Sequence, residues 1–548
     1  MDQAGLSSDS VLQTLLKTNR PPTDEETAII RESMAPTNAT LKSVEAQISE
    51  TMARIEALKL QVKQAENKLQ RLREEEAAIW ETFADHRRIF SPFRNIPEDV
   101  LREICIQACM GGDIPALSYS KDTLPYVLAQ ICSGMRHIAL TTPIIWASMH
   151  VEIGAFFCLG LRGYERVYSA LARKASTWFD RAGGLGLTVS IVEYRDSYPK
   201  FDVQCDPSTI LFDTLLSYST RWKELKFDSH CDGVLSAPMA RIAALTAVDV
   251  PLLQSVSFVL EYFRQDPELY DSVLLKIPTL KHVKLETWNI QVFTVDWAIL
   301  TSITLRGYSY WPSSLSRGQL ATILQQTKCL VFCDIDVGPG DLQEHSPKIS
   351  LPFLKTLIVG ETASRSGTSG AQSILDLITA PILEILHMGR LAFLNFSDFF
   401  KRSPCIWKLS IPYFDNDKSL TDVMGFLSHC PSLTVLSIWP CNWNLDTRDA
   451  NIFLQAFVEG DTSAICPRLQ YFEFTGNIDF SLQTLSLFLE GKQGDLAALN
   501  IMPWKKVAID VRGIKDAEKY QQVLDLFSQK KAAGLDIQVK RPRDGCFY

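Results

Sequence analysis

Pro251-Leu252-Leu253-Gln254-Ser255-Val256-Ser257-Phe258 is the stretch from which the fold is read. A residue that breaks regular structure opens it, and apolar residues follow two, five and seven positions later. Val256 and Phe258 alternate with serines, the period of a strand with one buried face. The phrase returns as Pro278 with Leu280, Val283 and Leu285; Pro352 with Leu354, Leu357 and Val359; and Pro381 with Leu383, Leu386 and Met388. Pro404 with Ile406, Leu409 and Ile411, Pro431 with Leu433, Leu436 and Ile438, and Pro467 with Leu469, Phe472 and Phe474 continue it. Two copies lack the proline, at Leu300, Ile303, Leu305 and at Leu330, Cys333, Ile335, and Trp222, Leu225, Phe227 is a degenerate early copy.

Successive copies start 20 to 36 residues apart, and the sequence between them often has helical spacing, as in Leu420, Val423, Phe426, Leu427 and in Leu482, Leu485, Phe488, Leu489. One strand and one helix per repeat is the expected build, over residues 202–548. It resembles an irregular leucine-rich-repeat solenoid, a parallel β-sheet with outer helices in which each unit buries its apolar edge only by stacking on a neighbour. Of that family's later Asn or Cys position only Cys441 and Asn477 survive. A two-layer α/β domain of non-repeating origin is the alternative.

Strand alternation sends the residues between the repeat leucines to the opposite face. These form one row of Ser255, His282, Ser302, Phe332, Thr356, Ile385, Lys408, Val435 and Tyr471, and a companion row of Ser257, Lys284, Thr304, Asp334, Ile358, His387, Ser410, Ser437 and Glu473. Phe332, Ile358, Ile385, Val435 and Tyr471 are unusual on an idle polar face and are the candidate contacts to a protein target. Coverage of that face by loops or C-terminal segments is the other reading.

Toward the N-terminus the periodicity changes. With Leu41 as heptad position a, the a positions are Leu41, Ile48, Ile55, Val62, Leu69 and Glu76, and the d positions Val44, Thr51, Leu58, Ala65, Leu72 and Ile79. No Gly or Pro interrupts them. A long helix over 37–82 with a narrow apolar stripe is expected, forming either a coiled coil, with a homodimer through 41–79, or a lone amphipathic helix folded back on the body. Residues 1–36, with Pro21, Pro22 and Pro36 among polar residues, read as a flexible leader.

Between helix and repeats lies Ile96-Pro97-Glu98-Asp99-Val100-Leu101. Proline suits a first helical turn and the acidic pair suits the positive end of the helix dipole. A helix is therefore expected from Ile96, burying Val100, Leu101, Ile104 and Ala108. After a loop at 111–121, one further helix is expected over 125–140, with Leu128, Ile131, Cys132, Met135, Ile138 and Ala139 on one side, ending before Pro143 and Trp146.

The run I-P-E-D-V-L-x-E-I followed by L-A-Q-I-C-S-G-M-R-H-I-A-L-T-T-P-I-I-W resembles the F-box in the form common in mushroom-forming fungi. Ile96 stands where that family usually has Leu, and Met135 where it usually has Trp. The resemblance implies a small all-α domain over 90–150, joined by 151–201 to the repeats, that docks on the linker subunit of an SCF-type ubiquitin ligase and through it on cullin. It implies Ile96, Pro97, Val100, Leu101, Ile104, Leu128, Ile131 and Cys132 as the linker-binding face or the core directly behind it. The repeats would then hold a protein target. A scaffold with no link to ubiquitination is the alternative.

Composition agrees with a protein-binding role. The chain of 548 residues is 46% hydrophobic and 22% charged, and its net charge of −8 disfavours nucleic acid and anionic membranes as partners. Thirteen cysteines without a C-x-x-C pair point to reduced thiols and no zinc site. No phosphate-binding loop, HExxH or GxSxG occurs, and Ser364–Gly370 carries no lysine, so no catalytic residue, metal or cofactor is expected. The N-terminus does not read as a signal peptide, no apolar run spans a membrane, and Lys540-Arg541-Pro542-Arg543 is a weak basic cluster; cytoplasm, nucleus or both are the expected location.

Overall fold

A computed structural model of the chain describes residues 8–89, 95–118, 123–154, 161–194, 208–230, 237–260, 272–287, 290, 293–307, 315–338, 347–361, 373–389, 396–413, 419–440, 450–457, 465–475, 480–492, 501–510 and 517–540. Cys441, Asn477, Ser364–Gly370 and Arg541–Arg543 lie outside them. The chain divides into two units, Met1–Pro97 and Glu98–Tyr548.

The first unit holds α1 (Ser8–Thr18) and α2 (Asp24–Ile89). The expected leader is helical over these residues, and the long helix starts before 37. The start has a local cause. Thr23 and Glu26 form a capping box: Glu26 N–H donates to Thr23 Oγ1 at 3.3 Å and Thr23 N–H donates to Glu26 Oε2 at 2.9 Å. Pro36 sits inside α2, where it costs one backbone hydrogen bond without ending the helix. Val11 of α1 is buried and Ile29 and Ile30 of α2 are half-buried, whereas α2 is exposed from Met34 through Phe83.

The second unit begins with α3 (Glu98–Met110), α4 (Leu124–Ile131) and α5 (Ser133–Leu140), then a 3-10 turn at Pro143–Trp146. The single helix expected over 125–140 is two helices. Cys132 adopts an extended conformation (φ −159°, ψ 172°) and its Sγ accepts from Met135 N–H at 3.4 Å, so it caps α5. Ser133 and Gly134 follow, both poor at sustaining a helix.

Strands and helices then alternate: β1 (Ser148–Ile153), α6 (Leu161–Arg181), β2 (Leu187–Glu193), α7 (Ser208–Leu216), β3 (Trp222–Ser229), α8 (Ala237–Ala243), β4 (Ser255–Leu260), β5 (His282–Thr287), β6 (Ser302–Arg306), α9 (Arg317–Gln326) and β7 (Phe332–Val337). After these come β8 (Ile349–Ser350), β9 (Thr356–Glu361), β10 (Ile378–Thr379), β11 (Ile385–Met388), α10 (Ser397–Arg402), β12 (Lys408–Tyr413), α11 (Ser419–Leu427), β13 (Val435–Pro440) and α12 (Ala450–Gln455). The last elements are β14 (Tyr471–Phe474), α13 (Leu482–Glu490), β15 (Lys506–Asp510), α14 (Ala517–Ala532) and β16 (Asp536–Lys540). Between β4 and β5 and between β5 and β6, the described connectors hold 3-10 turns, Val273–Lys276 and Trp297–Ile299, rather than α-helices.

Among the described residues, fourteen strands make one parallel sheet whose order follows the chain, with β8 and β10 pairing separately in the connectors. A doubly wound α/β sheet would reverse its order at a switch point; this chain adds each unit beside the last, as a solenoid does. The sheet begins at Ser148, so β1 and β2 already form part of it within the stretch expected as a junction, 151–201.

Two backbone devices repeat from unit to unit. At six of the seven repeat prolines the carbonyl before Pro accepts from the N–H three residues on, as in Val250 to Leu253 at 3.2 Å, Ile277 to Leu280 at 3.1 Å, Ala380 to Leu383 at 3.1 Å and Cys430 to Leu433 at 3.2 Å. Proline is therefore the second residue of a β-turn, where its fixed φ fits. The carbonyl just after the turn also accepts two N–H groups of the next unit: Gln254 O takes Lys281 and His282, Lys281 O takes Thr301 and Ser302, and Thr434 O takes Gln470 and Tyr471.

The phrase residues are the core. Leu253, Leu285, Ile303, Ile335, Leu357, Leu386, Leu409 and Leu436 are among those wholly buried, together with Leu320, Phe399, Val423 and Leu485 from the helices. Three buried apolar side chains contribute about 5 to 9 kcal/mol per repeat, against ~1 to 2 kcal/mol for ordering each residue, so no repeat stands alone.

Candidate functional site

Two surfaces come into question, the helical segment ahead of the sheet and the sheet face away from the helices. On α3, Leu101, Cys105 and Cys109 are buried, while Val100, Ile104 and Ala108 are exposed. The expected burial of Val100, Ile104 and Ala108 is thus corrected. The helix carries two apolar stripes one residue apart, and packing uses the one containing the thiols. Leu128, Met135, Ile138 and Ala139 are buried, but Ile131 and Cys132 are exposed. Leu124, Val127 and Ile131 form an exposed stripe on α4 at helical spacing. Ile96 is half-buried and Pro97 exposed, both in the first unit.

Leu101 and Leu128 are therefore core, and Val100, Ile104, Ile131 and Cys132 are surface. Arg102 ties α3 to the end of α5 by donating to Thr142 Oγ1 at 2.6 Å and to Thr141 O at 3.2 Å.

The same segment partly covers the first edge of the sheet. Trp146 is fully buried, and its indole N–H donates to Ala139 O at 2.7 Å. Its ring meets Trp178 of α6 edge-on at 5.0 Å and Tyr126 of α4 at 5.3 Å, with the Arg181 guanidinium 4.6 Å from it. Outside β1, Leu117 N–H donates to His150 O at 2.7 Å and His150 N–H to Pro115 O at 2.9 Å. A strand edge that would otherwise invite pairing is partly covered.

On the open sheet face the register joins the candidate residues. Ser255, His282, Ser302, Phe332, Thr356, Ile385, Lys408, Val435 and Tyr471 are successive partners in one row. Asp334, Ile358, His387, Ser410, Ser437 and Glu473 are partners in the next. Tyr471 is exposed, whereas Phe332, Ile358, Ile385 and Val435 are half-buried, each flanked by in-register neighbours.

The rows extend beyond the expected ones, through Glu224 and Lys226 on β3 and Lys506 and Ala508 on β15. Trp146, Met149, Val151 and Trp504, Val507, Ile509 share the apolar spacing of three then two that marks the other copies, the signal by which β1 and β15 could have been found.

Chemistry divides along this face. From β3 to β7 it carries ion pairs: Lys226 with Glu224 at 3.1 Å, Lys284 with Glu286 at 3.2 Å, and Arg306 with Asp334, whose two oxygens accept at 2.8 to 3.1 Å. From β7 to β14 it carries Phe332, Ile358, Ile385, Val435 and Tyr471, and His387 stacks on Trp439 with ring centroids 4.8 Å apart. Burial holds the His387 imidazole below its ordinary value, with Asp334 acting the other way, so the ring is neutral at pH 7.

Among the described residues, no group of three or more His, Cys, Asp or Glu is placed to hold a metal ion, and no helix is long and apolar enough to cross a membrane. Compared with known proteins, the chain matches no family model and no curated protein.

Proposed function

We propose that this protein is a substrate-recruiting adaptor of an SCF-type ubiquitin ligase, with an F-box at about 90–150 gripping the linker subunit and a leucine-rich-repeat-like sheet holding a protein target. The observation that carries this reading is a small helical segment that keeps one apolar stripe for its core and turns another, Val100 and Ile104 on α3 with Leu124, Val127 and Ile131 on α4, to solvent. A cluster of exposed aliphatics contributes ~1.5 to 3 kcal/mol per side chain when covered, enough for an interface once ordering costs are met. The apolar half of the open sheet face supports the target-binding part. No catalytic residue is needed in such an adaptor, because ubiquitin transfer belongs to other subunits.

The test is a pull-down of the purified linker subunit by the full chain and by Val100→Asp/Ile104→Asp. Both positions are exposed, so the variant keeps its fold by circular dichroism. Capture by wild type and loss by the variant is the expected result; no capture by folded wild-type protein removes the ligase reading.

One observation favours a second reading, an interaction scaffold unconnected to ubiquitin. The helical segment seats Trp146 and covers the β1 edge, which is reason enough for its presence as a cap on the solenoid. Under that reading the Val100/Ile104 variant leaves every partner bound.

A further inference from the structure

Independently of the adaptor reading, we propose that α2 pairs antiparallel with α2 of a second copy of this chain over residues 41–79, about a two-fold axis at Leu60. The seam is open: Leu41, Val44, Ile48, Ile55, Leu58, Val62, Leu69, Leu72 and Ile79 are each 44 to 56% exposed on one stripe of a 66-residue helix. Its repeat of seven calls for another long helix as partner, since only a supercoiled helix follows a 3.5-residue stripe over six heptads. α1, with 11 residues, packs near the start of α2 and reaches none of it.

The order of residues in the seam selects orientation. In a parallel, in-register pair each position faces itself, setting Glu76 against Glu76, Thr51 against Thr51 and Ala65 against Ala65. That places two like charges in the core and leaves a hole at the alanines. Antiparallel pairing about residue 60 brings every a position against a d position: Leu41 with Ile79, Val44 with Glu76, Ile48 with Leu72, Thr51 with Leu69, Ile55 with Ala65 and Leu58 with Val62. Each weak residue then meets a large aliphatic, and the Glu76 stems lie near the ends, where the carboxylates reach water.

The flanking charges point the same way. Parallel pairing juxtaposes Arg54 with Lys59 and Lys68 with Arg73, all repulsive. Antiparallel pairing sets Glu45 against Arg73, which attract, and retains repulsions at Arg54 with Lys68 and at the Lys59 pair. By helix rise, the two Ile89 ends of such a dimer stand ~85 Å apart.

Sedimentation equilibrium on the full chain tests this, because one surface substitution moves the two orientations in opposite directions. Arg73→Glu faces Glu45 in the antiparallel pair and Lys68 in the parallel one. The expected results are twice the chain mass for wild type, a dimer dissociation constant raised about fivefold by Arg73→Glu, and its recovery in Glu45→Arg/Arg73→Glu. A monomer at all concentrations, a trimer or larger species, or tighter association of Arg73→Glu overturns the proposal. Helical circular dichroism unchanged among the three proteins assigns the differences to pairing rather than folding.

Discussion

Arg317 at the start of α9 donates through Nε to Oε1 of Glu361 at the end of β9, and both side chains are fully buried. Ser373 Oγ donates to the other carboxylate oxygen at 2.6 Å and Ile374 N–H to Oε1 at 3.3 Å. One carboxylate thus joins the helix before β7 to the connector after β9, binding consecutive repeats. Replacing it by Gln removes the charge opposite a buried guanidinium. Glu361→Gln is expected to destabilise the Glu98–Tyr548 unit by about 3 kcal/mol in chemical denaturation, whereas Lys355→Gln, which breaks the exposed pair with Glu384, changes it by less than about 1 kcal/mol. Equal effects of the two would sink the assignment.

Trp146 predicts a division between packing and hydrogen bonding. Trp146→Phe keeps a ring beside Trp178 and Tyr126 but loses the bond to Ala139 O, for a cost of about 1 to 2 kcal/mol; Trp146→Ala also leaves a cavity, for about 3 to 5 kcal/mol. Hydrogen exchange should then quicken first in α4, α5 and β1.

Thiol burial sets the alkaline limit. Burial pushes Cys109 up to about 11 and Cys466 up to about 12, and raises Cys333 and Cys430 as well, from an ordinary value of 9.0. These folded-state values lie above the unfolded one, so their stabilising contribution is whole below pH 9 and is lost as pH rises above it. Lys492 opposes them: burial lowers it to about 8, so it adds stability between pH 8 and 10.5. Together with Cys105, which burial also raises, these thiols outweigh one amine. Denaturation midpoints should fall between pH 9 and 10.5, and fall more steeply in Lys492→Met; a rise over that interval contradicts the burial.

The same division is readable by thiol labelling. Cys132, Cys329 and Cys405 are exposed and should react with a thiol reagent in the native protein, while Cys105, Cys109, Cys333, Cys430 and Cys466 should react only on unfolding.

Lys substitutions at Ile385 and Val435 test the open sheet face. Both are half-buried on the side away from the core, so stability should change by about 1 kcal/mol or less, while co-purifying protein targets should be lost. Retention of every target by Ile385→Lys/Val435→Lys excludes that face as the recognition surface.

How far the sequence could be read depends on what each segment packs against. The repeat phrase was legible because each apolar residue in it has one role, burial behind the sheet, and each proline one place, in a turn. The rows of the open face followed from alternation alone. On α3 the aliphatics Val100, Leu101 and Ile104 suggest a core, of which Leu101 alone is buried, beside Cys105 and Cys109, because only tertiary packing decides between stripes 100° apart. The break at Cys132 was hidden because its cap is a thiol, an unusual acceptor. The start of α2 is marked by Thr23-x-x-Glu26, but Pro21, Pro22 and Pro36 around it are residues that ordinarily break a helix. β1 and β2 are harder to read because Trp146 and Gly186 stand three residues before Met149 and Val189, where the other copies mostly have leucine.

The register of the parallel sheet also works as a ruler. Phe332 and Tyr471 are separated by five strand-to-strand steps, ~24 Å at the usual spacing. An extended polypeptide covers that distance in about seven residues, so a linear segment lying across the strands must be at least that long to touch both aromatic rings, and a shorter one can engage only one end of the row.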